Sequence, residues 1–169
     1  AMKSYLVLTV IADDKPGLVE SLSEVIAEHK GNWLESSMSQ LAGKFAGILR
    51  VSVSRQNVDA LVAALNRLSS ELKLVIEQVE IKESGEQPRT VELSLVGNDR
   101  PGIVREISHA LAVLSVNVEQ LSTRCEPAPM SSDILFRTSA SLKVPQDVSL
   151  EDLQRCLERL ADDLMVEIK

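Results

Sequence analysis

A chain of 169 residues is long enough for one ordinary domain or two small ones. Its 44% apolar content supplies a globular core, but aromatics are only 2%, so that core must be built from Leu, Val, Ile and Ala. The net charge is −7, with nine basic and eleven acidic side chains in residues 1–84, nine and fourteen in 85–169, and no basic cluster. That balance argues against direct nucleic-acid binding, which rests on Lys and Arg neutralising phosphates.

The first strand is expected at "SYLVLTVIA". Tyr5, Val7 and Ile11 point one way and Leu6, Leu8 and Val10 the other, so both faces want cover. The strand is too short to cross a bilayer, and the N-terminus lacks the basic-then-apolar pattern of a leader. Cys125 and Cys156 have no metal-ligand spacing and read as reduced thiols, so a cytoplasmic location is expected.

The strand ends at "DDKPGLVE". Leu18, Val19, Leu22, Val25, Ile26 and His29 then fall at helical spacing, with Pro16 suited to the first helical turn and Gly31 to the left-handed residue closing the helix. Trp33 packs in the next strand. A hairpin turn at "AGKFAG" leads to a strand in which Leu49, Val51 and Val53 alternate with Arg50 and Ser52. A helix follows with Leu61, Leu65, Leu68 and Leu72 in register, and then a last strand, "LKLVIEQVEI". The polar "KESGEQPR" reads as a linker.

Beyond it the order repeats. "TVELSLVG" runs into "NDRPGIVR", and Ile103, Val104, Ile107, Ala110, Leu111 and Leu114 form the next helical stripe. With Pro16 set on Pro101, Asp14 meets Asp99, Gly17 meets Gly102, Ser23 meets Ser108 and Asn32 meets Asn117, an offset of 85. Ala140, Leu142 and Val144 then stand where the first copy has Leu49, Val51 and Val53. Leu153, Leu157, Leu160 and Leu164 match the earlier leucine helix at an offset of 92. About seven extra residues therefore belong to the second copy, placed near "TRCEPAPMSSD", a loop that would expose Cys125. Each copy reads βαββαβ. The fold class is α+β: two ferredoxin-like domains in tandem, antiparallel sheets with helices on one face, at 2–84 and 89–169.

The duplicated turn is the candidate site. Asp-Lys/Arg-Pro-Gly places a positive helix end and backbone N–H groups at one spot. Gly17 and Gly102 would let a ligand carboxylate approach the backbone, and Asp14 and Asp99 either cap the helix or accept from a ligand ammonium. Asn32 and Asn117 donate and accept at once, which suits an α-amino acid. The same residues also make a good generic helix start and turn, so both readings stand at this point. His29 reads as a half-buried helix-end histidine and His109 as solvated. Glu158, Asp162 and Asp163 read as a solvated helix face. With no nucleophile, base or metal cluster, neither catalysis nor a cofactor is expected.

"DDKPGLVESLSEVIAEHKGNW" and "NDRPGIVREISHALAVLSVNV" resemble the opening of ACT domains, small regulatory modules that often bind amino acids. "LAGKFAGILRVSV" and "LSTRCEPAP" are similar to the glycine cleavage system transcriptional repressor family, tandem ACT proteins without a DNA-binding domain. The resemblance implies a non-enzymatic regulator that senses a small amino acid, glycine or serine favoured, and acts through a transcription factor as protein partner. It implies ligand contacts, across a domain interface, at Asp14, Gly17, Leu18 and Asn32 and at Asp99, Gly102, Ile103 and Asn117. A homodimer is open. The rival expectation is a structural protein–protein interaction module with no small-molecule ligand.

Overall fold

The computed structural model describes residues 2–80 and 88–169. The chain divides into two compact units, Ala1–Glu83 and Ser84–Lys169. Most of the expected linker, residues 82–87, lies outside the described residues, and Arg89 already opens a strand.

The first unit contains β1 (Lys3–Asp13), α1 (Leu18–Glu28), β2 (Asn32–Leu41), β3 (Lys44–Ser54), α2 (Val58–Asn66) and β4 (Lys73–Val79). Its strands pair antiparallel in the order β2-β3-β1-β4. The second unit repeats this with β5 (Arg89–Asn98), α3 (Ile103–Val113), β6 (Asn117–Pro127), β7 (Ile134–Val144), α4 (Leu150–Glu158) and β8 (Met165–Ile168), in the order β6-β7-β5-β8. This is the βαββαβ topology, made twice.

Strand alternation puts Leu6, Leu8, Val10 and Ala12 of β1 in a core with Leu49, Val51 and Val53 of β3, closed by Leu18, Leu22 and Ile26 of α1 and Leu61 and Leu65 of α2. The second core is its counterpart, with Leu93, Leu95, Ile103, Ile107, Leu111, Leu142, Leu153 and Leu157. The other face of β1 is not core: Tyr5 and Val7 are half-buried and Ile11 is exposed. The helical stripes are also narrower than their spacing predicts. Val19 and Val104 follow the buried Leu18 and Ile103 by one residue, a turn of about 100° around the helix, and remain 46% and 42% exposed.

The helix ends differ from expectation in an instructive way. In α1 the left-handed residue is Lys30 (φ 59°), not Gly31; in α3 it is Ser115 (φ 58°). Lys30 N–H donates to Ala27 O at 3.0 Å and Gly31 N–H to Ile26 O at 2.8 Å, and Ser115 and Val116 repeat both bonds onto Ala112 and Leu111. This is a Schellman closure. Gly31 occupies the residue after the left-handed one, where a Cβ would stand 2.9 Å from Ile26 Cγ2.

The β2–β3 hairpin turns on Ala42 and Gly43 alone, both at positive φ (51° and 78°), the conformation that suits right-twisted two-residue hairpins. The extra residues of the second copy are mostly in its counterpart. Asn32 pairs with Ser52 and Asn117 with Lys143, so the offset grows from 85 to 91 across the β6–β7 hairpin. Cys125 is accordingly a residue of β6 and not of a loop. His29 and His109 are half-buried and exposed as expected, His29 with Nδ1 2.9 Å from Val25 O. Trp33 packs against the core of the first unit and donates to Ser36 Oγ at 3.0 Å. Asp163 is no idle surface carboxylate: it accepts from Asn98 N–H at 2.7 Å and so ties the end of β5.

Candidate functional site

Each Asp-Lys/Arg-Pro-Gly segment is a turn ahead of the helix. The helix N-caps are Gly17 (φ 90°, ψ 0°) and Gly102 (φ 84°, ψ 2°), so Pro16 and Pro101 stand outside the helix and not in its first turn. Ile103 N–H reaches Arg100 O at 3.3 Å, closing a four-residue turn. A proline second and a glycine third at φ near +85° is the type II pattern, in which the third residue must tolerate positive φ. The glycine is therefore demanded by the backbone. The space that its missing side chain leaves is open as well, with nothing within 4 Å of an added Cβ at either position.

No side chain caps α1 or α3, which corrects the expectation that Asp14 and Asp99 might do so. In α4, by contrast, Ser149 Oγ accepts from Asp152 N–H at 3.0 Å. The first bonds inside the two uncapped helices are Ser21 N–H to Gly17 O at 2.9 Å and Glu106 N–H to Gly102 O at 3.0 Å. Both openings thus carry the helix's partial positive charge.

The aspartates are held through their backbones. Asp14 N–H donates to Gly43 O at 3.0 Å, and Asp99 N–H to Ile134 O at 2.9 Å, so each β1–α1-type turn is clamped to the neighbouring hairpin. Beside Asp14, Lys44 pairs with Asp13 and holds its carboxyl below the ordinary range. Beside Asp99 stands Cys125, whose thiol is pushed up by desolvation, by the aspartate's charge and by a hydrogen bond to it. The cationic residues differ too. Lys15 Nζ lies 3.8 Å from Glu71, whereas Arg100 pairs with Glu106 and donates to Leu160 O at 3.3 Å. Sequence reasoning missed Cys125 as a neighbour of the second turn; its signal is its place in β6 opposite Phe136, one strand over from Ile134 and the Asp99 clamp.

The remaining expected residues divide. Leu18 and Ile103 are each only 4% exposed and belong to the cores, so they can offer a ligand backbone and little side chain. Asn32 and Asn117 are exposed at the first positions of β2 and β6, Asn117 with Nδ2 3.5 Å from Glu119 Oε1. Within one unit they do not meet the aspartates. An eleven-residue helix, about 16 Å long, separates Gly17 from Asn32, and Gly102 from Asn117. Along β3 the two ends are equally distinct, with Lys44 facing Asp13 and Ser52 facing Asn32.

Comparison with known proteins accords with this architecture. The ACT domain family model matches residues 4–80. The glycine cleavage system transcriptional repressor of Escherichia coli (strain K12) is 20% identical over 162 residues, 95% of this chain and 85% of that protein. The UPF0237 protein MK1213 of Methanopyrus kandleri is 34% identical over 73 residues, 43% of this chain and 76% of its own length. The crystal structure of an unknown protein from Galdieria sulphuraria shares the fold with a TM-score of 0.87 at 23% identity, covering 99% of this chain and 98% of that one. A matched first copy and a sheet order made twice lead to one conclusion: residues 4–80 form an ACT domain, and the chain carries the same βαββαβ fold in tandem.

Proposed function

We propose that the protein is a non-enzymatic regulator that senses a small amino acid, glycine or serine favoured, and passes the signal to a protein partner, a transcription factor by analogy with the similar repressor. The observation that carries the reading is the pairing, in each unit, of an uncapped helix start with an aspartate clamped one turn ahead of it. A ligand carboxylate suits the open N–H groups above Gly17 or Gly102, and its ammonium suits Asp14 or Asp99. Asn32 and Asn117 stand a helix length away from the aspartate of their own unit. In this reading a ligand touching both an Asp and an Asn draws them from different copies of the fold. Ligand occupancy then favours one association of folds over another, which is the coupling a sensor needs.

Charge-assisted hydrogen bonds contribute about 1.5–3 kcal/mol each. A few of them, less ordering costs, correspond to affinities of roughly micromolar to millimolar. Titration calorimetry of the intact protein with glycine and serine, then the other amino acids, tests this, with Asn32→Ala and Asn117→Ala as site variants. Saturable heat weakened by either substitution supports the assignment. A flat response across all amino acids overturns it in favour of a structural interaction module. That second reading has an observation of its own, since the type II turn requires Gly17 and Gly102 with or without a ligand.

A further inference from the structure

The outer face of the second sheet carries a polar recess that the fold itself does not require. Alternation along β5, β6 and β7 puts Ser94, Ser122, Arg124, Arg137 and Ser139 on the face opposite the core. Ser94 lies across from Ser139 and Ser139 across from Ser122, a row of three hydroxyls spanning three strands. One step along, Arg124 stands directly opposite Arg137. Like charges in that position destabilise a sheet. One carboxylate, Glu126, meets both, accepting from Arg124 Nε at 3.2 Å and from Arg137 Nε.

Two guanidiniums share one carboxylate at this end of the recess, while at the other end Ser94 stands opposite Glu167 of β8. Both contacts use Nε, and among the described residues no acceptor meets the terminal Nη groups of either arginine or the three serine hydroxyls. These side chains line about 180 Å³ of open space. The first unit shows that the fold manages without them. Its corresponding positions hold Thr9, Ile48 and Ser37 in place of the serine row, and Ala46 and Ser39 in place of the arginines.

We propose that this recess binds the phosphoryl group of a small ligand, either free phosphate or its monoester. A phosphoryl group presents three strong acceptor oxygens in a tetrahedral spread. That spread accepts from two guanidinium forks and from hydroxyls lying to one side, which a planar carboxylate with two oxygens does less completely. The recess is distinct from Asp99, Gly102 and Asn117, so the proposal holds whether or not an amino acid binds there.

The test is titration calorimetry of the intact protein at low salt with inorganic phosphate, with glycerol 3-phosphate and with glycerol. Saturable binding of either phosphate compound, with none for glycerol, is expected, and the tighter of the two tells free phosphate from ester. Arg124→Gln and Arg137→Gln should each weaken binding about tenfold or more, and Arg137→Lys, which keeps charge but loses the fork, by less. Ser39→Ala, at the first unit's counterpart of Arg124, should leave it unchanged. Circular dichroism and urea midpoints confirm that each variant is folded. Absence of saturable binding up to about 10 mM, an affinity weaker than roughly −3 kcal/mol, overturns the proposal, as does binding that both glutamine variants retain in full.

Discussion

Cys125 stands beside Asp99, and its thiol is held above its ordinary value chiefly by desolvation and then by the aspartate's charge. Alkylation needs the thiolate, so an exposed cysteine in this setting reacts slowly. In a Cys156→Ser background, iodoacetamide should label Cys125 more slowly than a free thiol at pH 8. Asp99→Asn removes the charge but not the desolvation, so labelling should accelerate by roughly two- to fivefold without reaching the free-thiol rate. A rate independent of residue 99 would show that the pair does not form in solution.

The two turn glycines offer a stability test free of packing effects. A Cβ at Gly17 or Gly102 meets nothing within 4 Å, so alanine there pays only for the left-handed backbone. Gly17→Ala and Gly102→Ala should each cost about 1–2 kcal/mol in urea unfolding of the unit concerned. A loss below about 0.5 kcal/mol would mean that the turn relaxes to another form.

Helix capping separates α4 from α1 and α3. Ser149→Ala deletes the bond to Asp152 N–H and should cost about 1 kcal/mol. Asp14→Ala and Asp99→Ala delete no cap, since α1 and α3 have none from a side chain. They should therefore stay within about 0.5 kcal/mol of the parent, and a larger cost would reveal a capping role.

Asp13 and Glu126 give the acid side of the stability profile. Lys44 lowers Asp13 from its ordinary 3.8, and Arg137, with Arg124 behind it, lowers Glu126 from 4.5. With the folded values below the unfolded ones, the unfolded chain binds more protons at acid pH, so stability rises with pH there. Each contribution is present above the ordinary carboxylate range and is lost as pH falls through the lowered value. Carboxyl carbon shifts followed by NMR should titrate below 3.8 for Asp13 and below 4.5 for Glu126. Lys44→Met should return Asp13 towards its ordinary value and leave Glu126 where it was.

The repeat made the fold legible. Matching Pro16 to Pro101 and Leu61 to Leu153 located the four α-helices, because spacing at 3.6 residues is written in side chains, although Leu68, Leu72, Leu160 and Leu164 lie beyond the ends of α2 and α4. What spacing does not contain is where a stripe stops. Val19 and Val104 are as apolar as their neighbours yet sit one residue off the line of contact. Nor does composition say which of two adjacent residues takes the left-handed turn. Glycine is the usual choice, but Lys30 takes it while Gly31 fits tightly over Ile26. In the candidate site, residue types were readable and distances were not. Asp14 and Asn32 flank the same helix in the sequence, and the eleven residues of α1 set how far apart they stand.

The extended β6–β7 hairpin marks a freedom that a symmetric pair of identical folds would lack. When one gene encodes one module that self-associates, every substitution appears on both sides of the axis. With the two modules written in series, an arginine can enter at 137 while its counterpart at 46 stays alanine. The lengthened hairpin and the arginine-bearing face are what such released symmetry looks like. One half can then carry side-chain chemistry that the other lacks.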